Sequence, residues 1–340
     1  MRREIVEVLR RLWRLPGVHH VGVVLYNGLH RGWHIFWHCW VTRLDLEKIR
    51  KQVFLLQESG LASPQRCSPR LIVSFTSFPD RISEVFAVAY SLLTQSLKPD
   101  AVILWLAEEE FPHKEKDLPQ ELLHLQSYGL SIQWCENLLS YKKLVPALRQ
   151  YPEDIIVTAD DDIYYPPDWL EPLYAAYLTD PTSIQTHVAG VIEEKEAEDI
   201  PQWTRFWHWY DSKKDKPLSH AHFQFGGFGA LYPPNSLHPD VLRSDIFLKE
   251  CPLDDDIWFW FMAVRNGTRI RCLAARNFCG WLPYCKEIDP ARSLDIGNRP
   301  RLSERRIAAD LTPLIRRYPE IRGIVSKDCS CKRHGSRLAK

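Results

Sequence analysis

Four short apolar runs separated by helical patterns constrain the fold of this chain most. From Arg70 onwards the runs LIVSFTS, AVILWLA, SIQWCEN and IIVTADD are rich in β-branched and aromatic residues. Helical patterns, among them residues 83–95 and 141–150, lie between the runs. Strands that alternate with helices form βαβ units around a largely parallel sheet. The sequence therefore predicts an α/β domain that binds its ligands at the carboxyl ends of the strands.

Three adjacent aspartates follow the last of these runs. Asp160, Asp161 and Asp162 follow the apolar residues 155–157, with Thr158 and Ala159 between them. Like charges this close repel one another, so a positive charge is expected beside them. On an extended backbone Asp160 and Asp162 share a face and Asp161 points the other way. Such a pair suits Mg²⁺ or Mn²⁺ that completes its shell with a diphosphate, while the simpler alternative is an acidic surface turn.

Charge and cysteine usage exclude some classes of protein. The 340 residues carry 44 Lys and Arg against 43 Asp and Glu, so no global charge argues for a nucleic-acid partner. Nine cysteines without regular spacing favour a reduced, cytoplasmic setting over a disulfide scaffold. Cys329, Cys331 and His334 offer only three soft ligands, so a solvated basic tail over residues 329–340 is favoured over a zinc site.

Residues 1–66 form a zone of different composition, which we expect to be an N-terminal helical extension of a main domain over residues 67–328. The opening MRREIVEVLRRLWRLPG predicts a basic amphipathic helix, and LDLEKIRKQVFLLQES predicts a second helix. The arginine face of the first helix either contacts anionic lipid or is solvated while the helix packs on the main domain. The first alternative makes residues 1–43 a peripheral contact with the inner face of a membrane, and charged residues interrupt the zone before it reaches spanning length.

The stretch TADDDIYYPPDWL resembles the DxD region of GT-A-fold nucleotide-sugar glycosyltransferases. The similarity is to bacterial N-acetylhexosaminyltransferases of the heparosan-synthase type and, more distantly, to exostosin-like hexosaminyltransferases. It covers about residues 70–285 and has no counterpart for residues 1–66. The resemblance implies a GT-A fold, a Mn²⁺ or Mg²⁺ cofactor held by Asp160 and Asp162, a nucleoside diphosphate sugar donor with UDP favoured, and a glycan or lipid-linked glycan acceptor in bacterial surface polysaccharide synthesis.

Three further segments carry the resemblance to the donor site, namely LIVSFTSFPDRI, CENLLSYKKLVPAL and HFQFGGFGALYPP. Of the two lysines in the second segment, one is expected to be only solvated surface. Ser83 is expected to cap the next helix, and the glycines are equally compatible with a tight bend. The donor-binding residues that the resemblance implies are Thr76, Ser77, Arg81, Asn137, Lys142, Lys143, Asp160, Asp161, Gly226, Gly227 and Gly229.

The segment CPLDDDIWFWFMAVRNG predicts a helix with acidic residues at its start and Ile257, Phe261 and Val264 facing inward. Asp254 is expected to cap this helix. The family has an acidic pair here that approaches the acceptor hydroxyl, which makes Asp255 and Asp256 the implied catalytic residues, with Asp256 favoured. Asp256 acts as the base if the reaction inverts the sugar linkage, and orients the acceptor or stabilises the sugar cation if it retains it; the resemblance favours retention.

Two other functions compete with a glycosyltransferase. A nucleotidyl- or phosphotransferase on a similar sheet is disfavoured, because Tyr164 stands where acidic phosphatases have a small β-branched residue and no G-x-x-x-x-G-K-[ST] loop is present. A non-catalytic sugar-nucleotide-binding scaffold is disfavoured by the intact acidic clusters. Trp203, Trp207 and Trp209 are either core aromatics or a platform that stacks on acceptor sugars.

Overall fold

A computed structural model describes residues 46–191, 215–252, 254–274 and 311–325, together with the backbone of residues 282–283. Most of the predicted main domain falls within these ranges. Several predictions lie outside the described residues, namely the amphipathic helix near the N-terminus, the tryptophans 203, 207 and 209, and the Cys329, Cys331 and His334 tail.

Strands and helices alternate along the described chain as the apolar runs predict. The strands of the main sheet are β1 (Leu71–Thr76), β2 (Ala101–Ala107), β3 (Leu130–Cys135), β4 (Ile155–Thr158), β6 (Ile184–Thr186), β9 (Ala230–Tyr232) and β10 (Ile270–Cys272). Four short strands form two small pairs, β5 (Ile163–Tyr164) with β11 (Leu282–Pro283) and β7 (Ala189–Val191) with β8 (His222–Gln224). The α-helices described before residue 311 are α1 (Leu46–Val53), α2 (Val85–Leu93), α3 (Gln120–Leu125), α4 (Val145–Gln150), α5 (Leu170–Thr179), α6 (Ser244–Glu250) and α7 (Asp255–Arg265).

The main sheet has seven strands in the order β10-β6-β9-β4-β1-β2-β3. Strand β9 runs antiparallel to both of its neighbours, β4 and β6, and the remaining pairs are parallel. Because β9 is reversed, its first residues lie at the edge where β1 and β4 end. The predicted α/β fold class is confirmed, because the chain forms a mostly parallel, Rossmann-like sheet flanked by helices.

The central strands are buried on both faces, which explains why their sequences are continuous apolar runs rather than alternating ones. Residues 71–73 of β1 and all of β4 are fully buried. Helix α7 is buried around almost its whole circumference, so the predicted inward residues Ile257, Phe261 and Val264 are confirmed within a larger buried set. The helical residues 311–317 and 320–325 contribute Leu311, Leu314 and Ile321 to the same core.

The second helix predicted in residues 1–66 is present as α1. Its Ile49 and Val53 are buried, and Arg50 Nε donates to Glu121 Oε1 of α3 at 2.6 Å. Among the described residues, none of the helices combines the length and the apolar content that a bilayer crossing requires.

The predicted cap of α2 is wrong. That helix begins at Val85, and Glu84 occupies its N-cap position. Ser83 lies in a turn over residues 81–84, where the Glu84 N–H bonds to Arg81 O at 3.0 Å. The turn delays the start of the helix and leaves the Arg81 side chain at the edge of the sheet.

Candidate active site

Five segments meet at the edge of the sheet where β1 and β4 end. The loop after β1 carries Ser77 and Arg81, a 3₁₀ helix after β3 (Leu139–Lys143) carries two lysines, and the aspartate triplet follows β4. A 3₁₀ turn, Gly226–Phe228, leads into β9, and the start of α7 lies beside that turn. The parallel topology thus brings together segments that are far apart in the sequence.

Arg81 supplies part of the positive charge expected beside the triplet. Its Nη1 atom donates to Asp161 Oδ1 at 2.7 Å and to Asp162 Oδ2 at 2.9 Å, and Ser77 Oγ donates to Asp161 Oδ2 at 2.6 Å. The prediction that Asp161 points away from its neighbours is therefore wrong. Strand β4 ends at Thr158, so the triplet lies beyond the extended backbone on which that alternation depends.

Lys143 links the triplet to the start of α7. Its Nζ atom lies 2.7 Å from Asp160 Oδ1 and 3.2 Å from Asp255 Oδ2. Burial disfavours the charged form of this lysine, but the nearby Asp160 and Asp255 outweigh burial and raise the pKa of Lys143 well above its usual value. The ammonium group is therefore charged and joins two acidic segments.

Lys142 is also buried, with 2% of its surface exposed against 4% for Lys143. The prediction that one of the two lysines is only solvated surface is wrong, because the 3₁₀ helix directs both side chains beneath neighbouring loops. Lys142 Nζ lies 2.6 Å from Glu110 Oε2 and donates to Ser77 O at 3.4 Å. Glu110 was not predicted, since the run of three glutamates after β2 is typical of a solvated surface.

Thr76 and Asn137 have local hydrogen-bond partners in the described structure. Thr76 Oγ1 donates to Trp105 O at 2.8 Å across β1 and β2. Asn137 Oδ1 accepts the Leu139 N–H at 3.1 Å and so closes the turn after β3. Their contact with a nucleotide stays a prediction.

The glycine turn fits between two carboxylates. The Gly226 N–H donates to Asp256 Oδ1 at 3.0 Å, and a Cβ atom on Gly226 would lie 2.7 Å from that oxygen. A Cβ atom on Gly227 would lie 2.0 Å from Asp160 Oδ2. Contacts this short exclude any side chain without movement of the carboxylates. The turn therefore requires glycine because Asp160 and Asp256 approach its backbone from two sides.

The three aspartates at the start of α7 make different contacts. Asp254 Oδ1 accepts the Ile257 N–H at 3.3 Å, which confirms the predicted cap. Asp255 is buried against Lys143, whereas Asp256 is half-buried and faces the glycine turn. Burial raises the pKa of Asp256 well above its ordinary range, and Lys143 only partly opposes this effect. A carboxylate with a raised pKa is a stronger base than an ordinary aspartate, which suits a group that accepts a proton.

Tyr165 and Trp169 donate hydrogen bonds to the carbonyl groups of the glycine turn. The Tyr165 hydroxyl donates to Gly227 O at 2.5 Å and accepts the Asp160 N–H at 2.8 Å. Trp169 Nε1 donates to Phe228 O at 2.9 Å. Burial raises the pKa of Tyr165 well above 10, so the phenol keeps its proton and can donate. Sequence reasoning missed these contacts, because aromatic residues in such a segment are typical of a core.

Asp160 and Asp162 fit the donor set of a hard divalent cation. Asp160 pairs with Lys143 and Asp162 with Arg81, and the two aspartate side chains stay 37% and 25% exposed. Burial and the charge of Asp160 raise the pKa of Asp162 to about 7, and a bound cation would lower it. In the described part of the chain no third His, Cys, Asp or Glu completes a protein-only metal cage. Magnesium commonly binds through one or two carboxylates and substrate phosphates, so two carboxylates suffice.

Comparisons with known proteins cover part of this site. Residues 141–233 match the sequence profile of glycosyl transferase family 2, a segment that includes both lysines, the triplet and the glycine turn. No curated protein sequence matches the chain. One similar solved structure is CMP:2-keto-3-deoxy-manno-octonic acid synthetase complexed with CTP, with a TM-score of 0.36, 15% identity, and coverage of 60% of this chain and 88% of that one.

Two further similar structures are of TarS from S. aureus. The first has a TM-score of 0.37 and 14% identity, and the second, in complex with UDP, has a TM-score of 0.39 and 13% identity. Each alignment covers 61% of this chain and 58% of the TarS chain. The chain described here thus spans 58% of the TarS chains that it matches, and within residues 141–233 its sequence is similar to glycosyl transferase family 2.

Proposed function

We propose that this protein is a glycosyltransferase that moves a sugar, with N-acetylhexosamine favoured, from a nucleoside diphosphate sugar to a glycan acceptor. One arrangement carries the proposal: Asp160 and Asp256 approach the Gly226–Gly227 turn from two sides. The leaving diphosphate must be stabilised by positive charge, and the acceptor hydroxyl must give its proton to a base. The positive groups and the base must therefore lie within a few ångströms of each other. The family 2 match supports the proposal over residues 141–233, which include Asp160 and the glycine turn but end before Asp256.

The donor half of the site is the triplet with Arg81 and Lys143. Negative charge builds on the diphosphate as the bond to the sugar breaks, and buried or half-buried cations stabilise it more strongly than solvated ones do. A divalent ion bound by Asp160 and Asp162 would supply Lewis-acid stabilisation of the same charge. Arg81 and Lys143 hold the three carboxylates in place and offset their mutual repulsion.

The acceptor half of the site is Asp256. Its Oδ1 atom is held by the Gly226 N–H at 3.0 Å, so the carboxyl group has a defined orientation. An ordered, half-buried carboxylate with a raised pKa suits general-base catalysis if the linkage inverts. The same group orients the acceptor or stabilises the sugar cation if the linkage is retained, and the resemblance to retaining enzymes favours this course.

The setting of the reaction is proposed from the sequence. We favour UDP as the nucleotide, a glycan or lipid-linked glycan as the acceptor, and bacterial surface polysaccharide synthesis as the process. The cytoplasm is the proposed location, with residues 1–43 as a peripheral contact with the inner face of a membrane.

A thermal-shift screen of nucleotide sugars with Mn²⁺ or with EDTA tests donor binding first, because a ligand that binds only the folded state raises the melting temperature. Transfer by the wild type is then compared with Asp256→Asn and Asp254→Asn. Asparagine keeps the helix cap at 254, so that control should stay active and folded, whereas Asp256→Asn should lose about 100-fold or more in kcat. Equal activity of the two variants would remove Asp256 from the mechanism, and UDP binding without turnover would favour the scaffold.

A further inference from the structure

The segment directly after the triplet contacts the glycine turn at two neighbouring carbonyl groups. Tyr165 bonds through its hydroxyl to Gly227 O at 2.5 Å, and Trp169 bonds through its indole nitrogen to Phe228 O at 2.9 Å. The two rings lie 4.5 Å apart at their centroids, and each is 1% exposed. Both donors are therefore fixed by packing before any ligand binds.

The Tyr165 hydroxyl lies one hydrogen bond from the backbone of Asp160 and two hydrogen bonds, by way of the glycine turn, from Asp256. It accepts the backbone N–H of Asp160 at 2.8 Å, so it contacts the donor half directly. Through Gly227 O it holds the turn whose preceding N–H, that of Gly226, bonds Asp256 Oδ1. One phenol oxygen thus sets the spacing between the backbone of Asp160 and the turn that orients Asp256.

We propose that Tyr165 is a positioning residue that keeps the carboxylates of Asp160 and Asp256 at a fixed separation, with Trp169 as a second support of the same turn. The proposal rests on the proposed function, since it assigns Tyr165 to the geometry of that reaction. With 1% of its surface exposed, Tyr165 acts through the backbone of Asp160 and Gly227 rather than on the donor or the acceptor.

Loss of the hydroxyl has a specific expected effect. Tyr165→Phe leaves the ring packing in place but deprives the Asp160 N–H and Gly227 O of their shared partner. The turn and the triplet then lose this direct link, and the turn keeps the hydrogen bonds of Thr158 Oγ1 to Gly226 O at 3.1 Å and of Trp169 Nε1 to Phe228 O. Small displacements of catalytic groups lower the rate of the chemical step far more than they weaken binding of the nucleotide, which makes many other contacts.

The experiment compares Tyr165→Phe and Trp169→Phe with the control Tyr164→Phe, which removes the neighbouring hydroxyl outside this set of contacts. Hydrogen exchange of the ligand-free chains is measured by mass spectrometry in peptides that contain Asp160 and Gly226. Binding of UDP in EDTA, and kcat and KM for UDP-N-acetylglucosamine with Mn²⁺, are measured on the same proteins, together with their melting temperatures.

We expect Tyr165→Phe to speed exchange in both peptides and to lower kcat by about 10- to 100-fold, with the UDP dissociation constant within about twofold of wild type. Trp169→Phe should show the same pattern, with faster exchange at the Gly226 peptide, and it stands in if Tyr165→Phe does not fold. Tyr164→Phe should match the wild type in exchange and in kcat.

Unchanged exchange at the Gly226 peptide in Tyr165→Phe would overturn the proposed link. The proposal would also be overturned if Tyr165→Phe exchanged faster but kept the wild-type kcat, or if its kcat fell no further than that of Tyr164→Phe. A wild type that neither binds UDP nor turns over a nucleotide sugar would contradict the proposed function instead, and the exchange comparison would still decide whether Tyr165 couples the two segments.

Discussion

Lys143 Nζ lies 2.7 Å from Asp160 Oδ1, and the lysine is almost fully buried. The chain itself thus supplies a positive charge beside its aspartate triplet, together with Arg81 on the other two carboxylates. Because Lys143 also pairs with Asp255 at 3.2 Å, one ammonium group neutralises charge in both acidic segments of the site. The stability of the site therefore depends on this lysine.

Replacement of Lys143 by methionine is expected to lower the free energy of unfolding by about 3–5 kcal/mol at neutral pH, because it leaves the buried Asp255 and the partly exposed Asp160 without their cation. Urea denaturation at pH 7.5 measures this loss. As a control, Lys98→Met alters a side chain that is 41% exposed and should change stability by no more than about 0.5 kcal/mol. An equally small effect at Lys143 would show that the pair is unimportant for folding.

Alanine at Gly227 is expected to displace the Asp160 carboxylate, since the new Cβ atom would lie 2.0 Å from its Oδ2. Binding of UDP in the presence of Mn²⁺ should weaken by about tenfold or more, which corresponds to about 1.4 kcal/mol. Gly323→Ala is a matched control, because a Cβ atom there meets no atom within 4 Å and the residue is helical. Calorimetry distinguishes the two, and wild-type affinity in Gly227→Ala would argue against a role of Asp160 in donor binding.

Acid should destabilise the protein in part through His187. Burial lowers the pKa of this imidazole to about 4, although its contact with Trp169 O at 2.8 Å works in the opposite direction. In the unfolded chain the histidine pKa is near 6.5. Between this pH and about pH 4 the unfolded chain therefore binds a proton at His187 and the folded chain does not. The stability that neutral His187 contributes is therefore fully present above about pH 6.5 and is lost as the pH falls towards 4.

Melting temperatures from pH 7.5 to 4.5 test the role of His187. The variant His187→Gln keeps a side-chain N–H donor and should lose less stability across this range than the wild type does. His113→Gln, at an exposed position, should keep the wild-type slope. Identical slopes in all three proteins would assign the acid sensitivity to the carboxylates alone.

Removal of divalent ions should weaken donor binding without unfolding the chain. In EDTA, UDP should raise the melting temperature less than it does with Mn²⁺, because a bound ligand stabilises in proportion to its occupancy. Asp162→Asn should abolish the difference between the two conditions, whereas Asp245→Asn, whose side chain is 64% exposed, should preserve it. A shift by UDP that is indifferent to EDTA in the wild type would exclude the proposed metal role.

The sequence by itself determined the features that depend on neighbouring residues. The apolar runs predicted β1, β2 and β4, because a strand buried on both faces must be apolar throughout. Strand β3, at the edge of the sheet and mostly half-buried, was predicted from its β-branched and aromatic residues. The repulsion within the triplet predicted a nearby positive charge, and the acidic start of α7 predicted the cap at Asp254. Each inference needs only a local pattern, since period, charge and capping act over a few residues.

Only the tertiary structure decided which groups meet at the edge of the sheet. Glu110 pairs with Lys142, Arg81 bonds Asp161 and Asp162, and the Tyr165 hydroxyl joins Asp160 to Gly227. These partners come from different loops, and their contacts depend on strand order, on the reversal of β9 and on how each loop packs. No local pattern encodes such distances, because burial and pairing energies arise only when separate segments are brought together in the folded chain.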